Sequence, residues 1–198
     1  MKNVKLIVTL GVVFLVIVII YASVKGTYNS IIRYDEQVTA SWSQVVTDYQ
    51  RRMDLIPNLV NVVKGYADFE QETLIGVIEA RASATKVQLN VNNLDENALQ
   101  QIEKSQQAVS SALSRLLVTV ERYPDLKANT NFRDLQAQLE GTENRIANAR
   151  RKFNESTQTY NSYIRQFPKN IYANFFGFEK KPYFEAAVGA EKAPEVQF

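Results

Sequence analysis

The sequence predicts an all-α protein: a single N-terminal transmembrane helix followed by an elongated antiparallel four-helix bundle with an aromatic C-terminal tail. Three observations predict it: a long uncharged apolar stretch near the N-terminus, apolar residues at alternating steps of three and four through most of the chain, and aromatic residues concentrated after the last helix. We divide the chain into a basic flank at 1–5, an anchor at 6–24, the bundle at 28–167 and the tail at 168–198.

The anchor runs from Leu6 through Phe14 to Val24 without a charged residue. At a rise of about 1.5 Å per residue it is roughly 28 Å long, which is close to the thickness of the hydrocarbon core of a bilayer. A cleaved signal peptide is the alternative. Its apolar region is shorter, however, and cleavage after Ala22 would place Ile20 where a small residue is needed. We therefore expect an uncleaved, single-pass anchor.

Positive charges flank the anchor on both sides. Lys2, Lys5 and the amino terminus precede it, whereas Lys25 and Arg33 follow it. Because positive charge is retained preferentially in the cytoplasm, this balance favours a cytoplasmic N-terminus and a bundle outside the cytoplasm. The opposite orientation stays open, because so short an N-terminal flank can also be translocated.

Four amphipathic helices are predicted, at about 28–52, 57–90, 95–123 and 131–167. Apolar residues at heptad spacing define their inner faces, with Asp35 and Gln106 as polar interruptions. Pro57 is assigned to the first turn of the second helix, where its missing N–H costs no hydrogen bond; a kink within one longer helix is the alternative. Short connections between the four helices predict an antiparallel bundle.

Turn and capping residues set the remaining boundaries. The segment Asn90–Asp95 concentrates Asn and Asp, which favour turns and helix caps. The segment 124–131 is predicted to be a loop in which Asn129, Thr130 or Asn131 caps the fourth helix. Pro168 is expected to end that helix, because a proline cannot continue it without losing a hydrogen bond.

The tail carries more aromatic residues than a solvated linker would. In the favoured interpretation these rings pack back along the bundle of their own chain. In the alternative they dock on a neighbouring subunit or at the bilayer interface, where Tyr and Phe are readily accommodated. The candidate interaction residues, here called the aromatic strip, are Phe175, Phe176, Phe178, Tyr183 and Phe184.

Small residues form a second candidate feature. Gly65, Gly76, Ala80 and Ala84 fall near one line of the predicted second helix, so they are candidate close-packing positions in an oligomer or beside a ligand. The favoured interpretation is that they make room for a large side chain, such as Trp42, on a facing helix.

The composition excludes several classes of active site. The sequence contains no cysteine and no histidine, which removes disulfides, thiol nucleophiles, Ser-His-Asp triads and His-ligated metal sites. Lys and Arg total 23 against 21 Asp and Glu, which is not the basic surplus that nucleic-acid binders concentrate on one face. We therefore expect no catalytic residue, no metal, no cofactor and no nucleic-acid partner.

Charged residues cluster near Arg51, Arg52 and Asp54, and acidic residues follow near Glu70 and Glu79. A ligand site at the first cluster is conceivable. Surface ion pairs commonly carry no function, so we interpret both groups as solvated faces.

Segments spread over nearly the whole chain resemble the bacterial LemA family. They are SWSQV at 41–45, RRMDLIPNLVNVVKGYA at 51–67, ETL at 72–74, EAR at 79–81, YNSYIRQFPKN at 160–170, FGF at 176–178 and YFE at 183–185. The resemblance implies a membrane-anchored helical bundle in the bacterial envelope and a link to membrane stress or membrane proteolysis. Phe69 departs from the family pattern, which has a histidine beside the glutamate at that place.

Together these features predict a non-catalytic scaffold or adaptor in the bacterial inner membrane, with its bundle on the periplasmic side. It is expected to act by forming homo-oligomers or by binding an envelope protein, because anchoring in a plane strengthens weak lateral contacts. The alternative is a ligand-sensing bundle. That function would require a partner for signalling, because the sequence has one membrane-crossing segment and no output domain.

Overall fold

A computed structural model describes residues 2–66, 70–87 and 95–185, apart from the side chains of residues 2–6 and 8. All regular elements in these ranges are α-helices, which confirms the predicted all-α class. The turn expected at 90–94 and the tail beyond residue 185 lie outside the described residues. The helices are α1 (Lys2–Lys64), α2 (Gln71–Lys86), α3 (Glu96–Val120), α4 (Pro124–Ala128), α5 (Thr130–Arg165) and α6 (Lys169–Phe175).

The chain forms two compact units. Among the described residues, the first unit consists of those up to Ala40 together with Glu155–Lys181, and the second consists of those from Ser41 to Asn154 together with 182–185. Helices α1 and α5 each contribute to both units, whereas α2, α3 and α4 belong to the second unit and α6 to the first. Each unit therefore joins segments that are far apart in sequence.

Helix α1 continues through Pro57 to Lys64, so the helix start predicted at Pro57 is wrong and one longer helix is observed. A proline inside a helix deprives the carbonyl four residues earlier, here that of Met53, of its N–H donor. The Nε–H of Arg81 on α2 donates a hydrogen bond to the Met53 carbonyl at 2.9 Å. A side chain from another helix thus replaces the bond that Pro57 removes.

The end of α1 lies at Gly65, where a continuous helix had been predicted. The Gly65 N–H donates to the Val62 carbonyl at 3.2 Å, and a Cβ atom at Gly65 would lie 3.3 Å from that same oxygen. Glycine avoids this close contact. Helix α2 then begins separately at Gln71, so the prediction of one helix from 57 to 90 is wrong.

Two polar side chains cap the next long helices. The side-chain oxygens of Asp95 and Asn129 accept hydrogen bonds from the N–H three residues later, at 2.7 and 3.1 Å. Asn129 is one of the three caps expected for α5. The segment predicted to be a loop at 124–131 contains the short helix α4 instead, because Pro124 is suited to a first helical turn and Leu126 is fully buried.

Helix α6 ends at Gly177, which has a φ of +75°. The Phe178 N–H donates to the Ala173 carbonyl at 2.9 Å, the bond that defines a Schellman motif. Glycine adopts this left-handed conformation without steric cost. The turn brings the rings of Phe176 and Phe178 to the ring of Tyr28, at centroid distances of 5.0 and 5.7 Å.

Most apolar residues predicted at heptad positions are buried. The exceptions include Tyr28, Ile32 and Ile78, which are 38%, 37% and 41% exposed, and Phe167, which follows the end of α5 and is 80% exposed. Tyr66, Tyr123 and Leu135 are partly buried. In the second unit one core draws on α1, α2, α3, α4 and α5. Its fully buried or nearly fully buried members include Ile56, Leu59, Val63, Val77, Val109, Leu116, Leu126 and Phe132.

We expect the hydrogen bond between Arg81 and Met53 to be energetically coupled to Pro57. Arg81→Met should lower the free energy of unfolding by about 1 to 2 kcal/mol, because the Met53 carbonyl then has no donor. In a Pro57→Ala background the restored N–H supplies that bond, so the loss caused by Arg81→Met should be smaller. Urea unfolding of the full chain in detergent micelles, followed by circular dichroism, measures both losses.

Arg122→Met provides the matched control, because Arg122 pairs with Glu70 at 2.7 Å on the surface and both side chains are exposed. Arg122→Met should lower the free energy of unfolding only slightly, and by the same amount with and without Pro57→Ala. Equal losses for Arg81→Met with and without Pro57→Ala would contradict the coupling.

Candidate functional site

The most polar buried site of the second unit surrounds Arg52, whose side chain is 2% exposed. Its Nη1 donates to Ser110 Oγ at 3.0 Å and to Glu143 Oε2 at 2.5 Å, and its Nη2 donates to Gln106 Oε1. These partners lie on α3 and α5, so one side chain of α1 links three helices. The interpretation of Arg52 as part of a solvated face is wrong, since a buried guanidinium needs such partners.

A polar cleft of about 310 Å³ lies beside this group. Arg150, on its wall, forms an ion pair with Glu103 of α3. The cleft therefore carries charges of both signs, and most of them are already paired with one another. The wall residues that bear on its chemistry are Tyr49, Arg52, Glu103, Glu143, Arg150 and Glu185.

Burial changes the ionisation of two groups in the cleft. It raises the pKa of Tyr49 to about 12, against the opposing effect of Arg150 and Arg52. Burial likewise raises the pKa of Glu103, and the Arg150 guanidinium again opposes the change. The Tyr49 hydroxyl is thus neutral at physiological pH, and within the described residues it is buried without a hydrogen-bond partner.

Metal binding finds no support in the described ranges, since none of their acidic side chains form a group of three that could hold an ion. Phe69, singled out in the sequence, lies outside the described residues.

The structure divides the aromatic strip. Phe184 is 5% exposed in the second unit, where its ring lies 5.9 Å from that of Trp42 and 5.4 Å from that of Phe153. The Asn154 side chain holds its backbone through two hydrogen bonds of 2.9 Å, and the Arg150 guanidinium lies 4.4 Å from its ring centroid. Phe184 therefore packs on its own chain.

In the first unit, another asparagine side chain forms the same pair of hydrogen bonds with the backbone of a residue that precedes Phe184. The Asn161 side chain accepts from the Lys181 N–H at 2.9 Å and donates to the Lys181 carbonyl at 2.8 Å. Lys181 Nζ lies 2.6 Å from Asp35 Oδ1, and the Tyr160 hydroxyl donates to the Glu179 carbonyl at 3.1 Å. Asp35, the polar interruption of the apolar stripe of α1, is thus the partner of this lysine.

The remaining members of the aromatic strip differ in exposure. Phe176 and Phe178 contact Tyr28, whereas Phe175 is 82% exposed and Tyr183 is 41% exposed. Phe175 touches only the neighbouring ring of Phe176 among the described ring contacts, at a centroid distance of 5.1 Å.

The small residues do not share one helix. Gly65 follows α1, whereas Gly76, Ala80 and Ala84 lie on α2. Nothing lies within 4 Å of a Cβ atom built at Gly76, so no close approach requires glycine there. Ala84 is buried and Ala80 packs against the core, so these two alanines serve the internal packing of the chain.

Helix α1 alone, among the described helices, is long and apolar enough to cross a membrane, and its most apolar window has no buried residue. Phe14 is 69% exposed and Val24 is half-buried. The side chain of Leu6 lies outside the described residues.

The sequence analysis did not predict that the side chains of Arg81, Asn154 and Asn161 form hydrogen bonds with backbone groups of distant segments. A signal was available for two other contacts, since Gln106 and Asp35 interrupt apolar stripes and each has a charged partner, Arg52 and Lys181 respectively. Which cation pairs with which interruption depends on helix packing, which periodicity within one helix cannot reveal.

Sequence comparisons identify relatives along most of the chain. A LemA family profile matches residues 41–198. Magnetosome protein MamQ 2 of Paramagnetospirillum magneticum is 26% identical over an alignment of 188 residues that covers 85% of this chain and 68% of that protein. Magnetosome protein MamQ of Magnetospirillum gryphiswaldense is 26% identical over an alignment of 176 residues that covers 79% of this chain and 64% of that protein. Protein LemA of Metamycoplasma hominis is 24% identical over an alignment of 181 residues that covers 91% of this chain and 76% of that protein.

Removing the buried guanidinium should destabilise the protein. Arg52→Met is expected to lower the free energy of unfolding by about 2 to 3 kcal/mol, because the buried Gln106 loses its donor and Glu143 its charged partner. Arg51→Met, at the neighbouring exposed position, should change it by less than about 0.5 kcal/mol. Urea unfolding of the full chain measures both, and similar losses would contradict a structural role for Arg52.

At alkaline pH, Tyr49→Phe and the wild type should differ in stability toward unfolding. A tyrosine whose folded pKa is raised to about 12 stabilises the fold at pH values below its unfolded pKa of about 10, and this stability is lost as the pH rises through 12. Tyr49→Phe removes that dependence and also removes an unpaired hydroxyl. We expect the variant to be as stable as the wild type at pH 8 and more stable than it near pH 12, a comparison that thermal unfolding provides.

Tyr160→Phe is the matched control, because burial also raises the pKa of Tyr160 to about 12 but its hydroxyl bonds to Glu179. At pH 8 Tyr160→Phe should lower the free energy of unfolding by about 1 kcal/mol, unlike Tyr49→Phe. A similar loss for Tyr49→Phe would mean that its hydroxyl has a partner.

Proposed function

The chain belongs to the LemA family, and from this premise we propose that it is a non-catalytic scaffold or adaptor of the bacterial envelope, held in the inner membrane by residues 6–24. It acts by self-assembly or by association with another envelope protein. The observation that carries this proposal is the composition of α1. One helix contains both an exposed, uncharged apolar segment and core residues such as Trp42 and Ile56. The first segment needs an apolar environment, which a bilayer supplies.

In this proposal α1, α2, α3 and α5 are the helices of the bundle, with α4 as a connector. The shared core of the second unit supports this assignment, since Ile56, Leu74, Leu116 and Phe132 come from those four helices. Lys2, Lys5 and the amino terminus support a cytoplasmic N-terminus and hence a bundle on the periplasmic side.

The charges of the cleft support association rather than catalysis. Arg52 is paired with Glu143, and Arg150 is paired with Glu103, so these groups hold helices together instead of facing a substrate. Histidine and cysteine are absent from the sequence. Two relatives are named as magnetosome proteins and a third only by the family name, so the proposal rests on the helical architecture rather than on any relative's role.

Helix α2 offers a lateral contact for self-assembly. Ile75 and Ile78 are 51% and 41% exposed and lie three residues apart on one face. A pair of exposed isoleucines is a small patch, but confinement to a membrane plane raises the effective concentration of such patches.

Two measurements on the full chain test this function. First, wild type should stay in the membrane during alkaline extraction, whereas Phe14→Arg/Val18→Arg should be released, because two cations are costly in the middle of a span. Second, the mass of the wild type in nanodiscs should exceed that of one 22.5 kDa chain. Ile75→Lys/Ile78→Lys should reduce it to that of one chain, since like charges repel across the contact.

A wild type that alkaline extraction releases would contradict the anchor. A wild type that is a single chain in nanodiscs would contradict self-assembly. Val118→Lys is the control for the mass measurement, because Val118 is also exposed and apolar, at 72%, and lies on α3.

Ligand sensing is the second candidate function, and the polar cleft with its unpartnered Tyr49 hydroxyl favours it. Charges of both signs suit a small zwitterion. The twenty free amino acids are suitable probes: a sensor would show a raised unfolding temperature with at least one of them, and Tyr49→Phe would diminish the rise. The absence of any rise with the whole set would contradict this candidate.

A further inference from the structure

Three large apolar side chains in and just before α6 are more than half exposed. Phe167, Ile171 and Phe175 are 80%, 54% and 82% exposed. Ile171 and Phe175 are four residues apart and lie on one face of α6, and Phe167 lies two residues before the helix begins. We call these three residues the α6 face. Contiguous exposed apolar surface of this kind marks an interaction site.

The opposite side of α6 is fixed to its own chain. Ala173 is 2% exposed, and the Schellman motif at Gly177 sets the direction of the residues that follow. The rings of Phe176 and Phe178 contact Tyr28 of α1. The α6 face cannot turn inward unless these contacts break, so its exposure follows from how α6 is attached.

The attachment point lies next to the apolar segment of α1. Tyr28 follows Val24 by four residues, which is about 6 Å along a helix. Because Phe176 and Phe178 contact Tyr28, α6 lies within roughly two helical turns of the end of that segment. All of these residues belong to the first unit.

We infer that the α6 face inserts into the headgroup region of the same bilayer that residues 6–24 cross. This inference rests on the proposed membrane anchor and adds a second, peripheral attachment to it. Aromatic residues are enriched at the membrane interface, and an amphipathic helix buries its apolar face about 5 to 10 Å below the surface. Lys25 and Lys180 are both exposed and provide charges for anionic headgroups.

The bilayer is the occupant because the contacts of Phe176 and Phe178 with Tyr28 hold α6 beside the end of the span. A protein partner would have to occupy a place that headgroups already fill. Two attachments also restrict motion, since a single helix can rotate and tilt whereas α6 fixes one side of α1 toward the surface.

Site-specific fluorescence tests the inference, and the absence of cysteine from the chain permits single-cysteine variants without a background. The full chain carries a nitrobenzoxadiazole label at Asn174→Cys in α6, at Phe14→Cys in the span, or at Gln37→Cys further along α1. Each variant is reconstituted in vesicles of phosphatidylcholine and phosphatidylglycerol that contain lipids spin-labelled near the headgroup or near the chain end. Asn174 and Gln37 are exposed, so neither substitution removes a buried side chain.

The label at position 174 should lose at least about half of its emission to the shallow quencher, and the label at position 14 should respond most to the deep one. The label at position 37 lies about 20 Å beyond Val24 and should respond to aqueous iodide alone. In the Asn174→Cys background, Phe167→Ser/Ile171→Ser/Phe175→Ser should abolish the shallow quenching. Val118→Ser, which removes an exposed apolar side chain from α3, should leave it unchanged.

The outcomes separate this inference from the anchor. If position 14 is quenched but position 174 is reached by iodide alone, the inference is overturned and the anchor stands. If position 14 is not quenched, the anchor itself fails. The inference is also overturned if position 37 is quenched by lipid, which means adsorption of the whole surface, or if the triple change lowers the mass in nanodiscs, which means contact between copies. Unchanged unfolding temperatures of the serine variants establish that they are folded.

Discussion

Burial of the Arg52 guanidinium is the constraint on which the second unit depends. A cation with 2% exposure requires hydrogen-bond acceptors from its surroundings, and here they come from Ser110 and Gln106 of α3 and Glu143 of α5. Apolar stripes alone permit several sliding registers between helices, because one leucine packs much like the next. The planar guanidinium has donors in fixed directions, so its partners align the three helices in one register.

The same requirement explains how the irregular parts of the chain are held. Pro57 leaves a carbonyl in the middle of α1 without its donor, and Arg81 of α2 satisfies it. The extended residues after α6 lack helical hydrogen bonds, and the amides of Asn161 and Asn154 bind their backbone on both the donor and the acceptor side. Buried backbone groups need partners, and in these places side chains from α2 and α5 provide them.

These contacts give physical reasons for motifs that relate the chain to its family. Pro57 and Arg81 belong to segments that the sequence keeps far apart, yet they serve one carbonyl. In the first unit Gly177 supplies the left-handed turn that presents two phenylalanines to Tyr28. In the second unit Phe184 stacks on Trp42. The motifs therefore describe an architecture rather than an active site, which agrees with a function in anchoring and association.

Local patterns in the sequence by themselves determined the all-α class, the apolar segment at 6–24 and most of the buried stripe. They also limited the cap of α5 to Asn129, Thr130 or Asn131, because spacing and capping act within a few residues along one chain. The absence of histidine and cysteine likewise limited the chemistry. Only the tertiary structure decided that α1 passes Pro57, that Arg52 is buried, and that the aromatic strip divides into a buried Phe184 and an exposed Phe175. Each of these depends on a partner distant in sequence, and the register between helices, not the pattern within one, selects that partner.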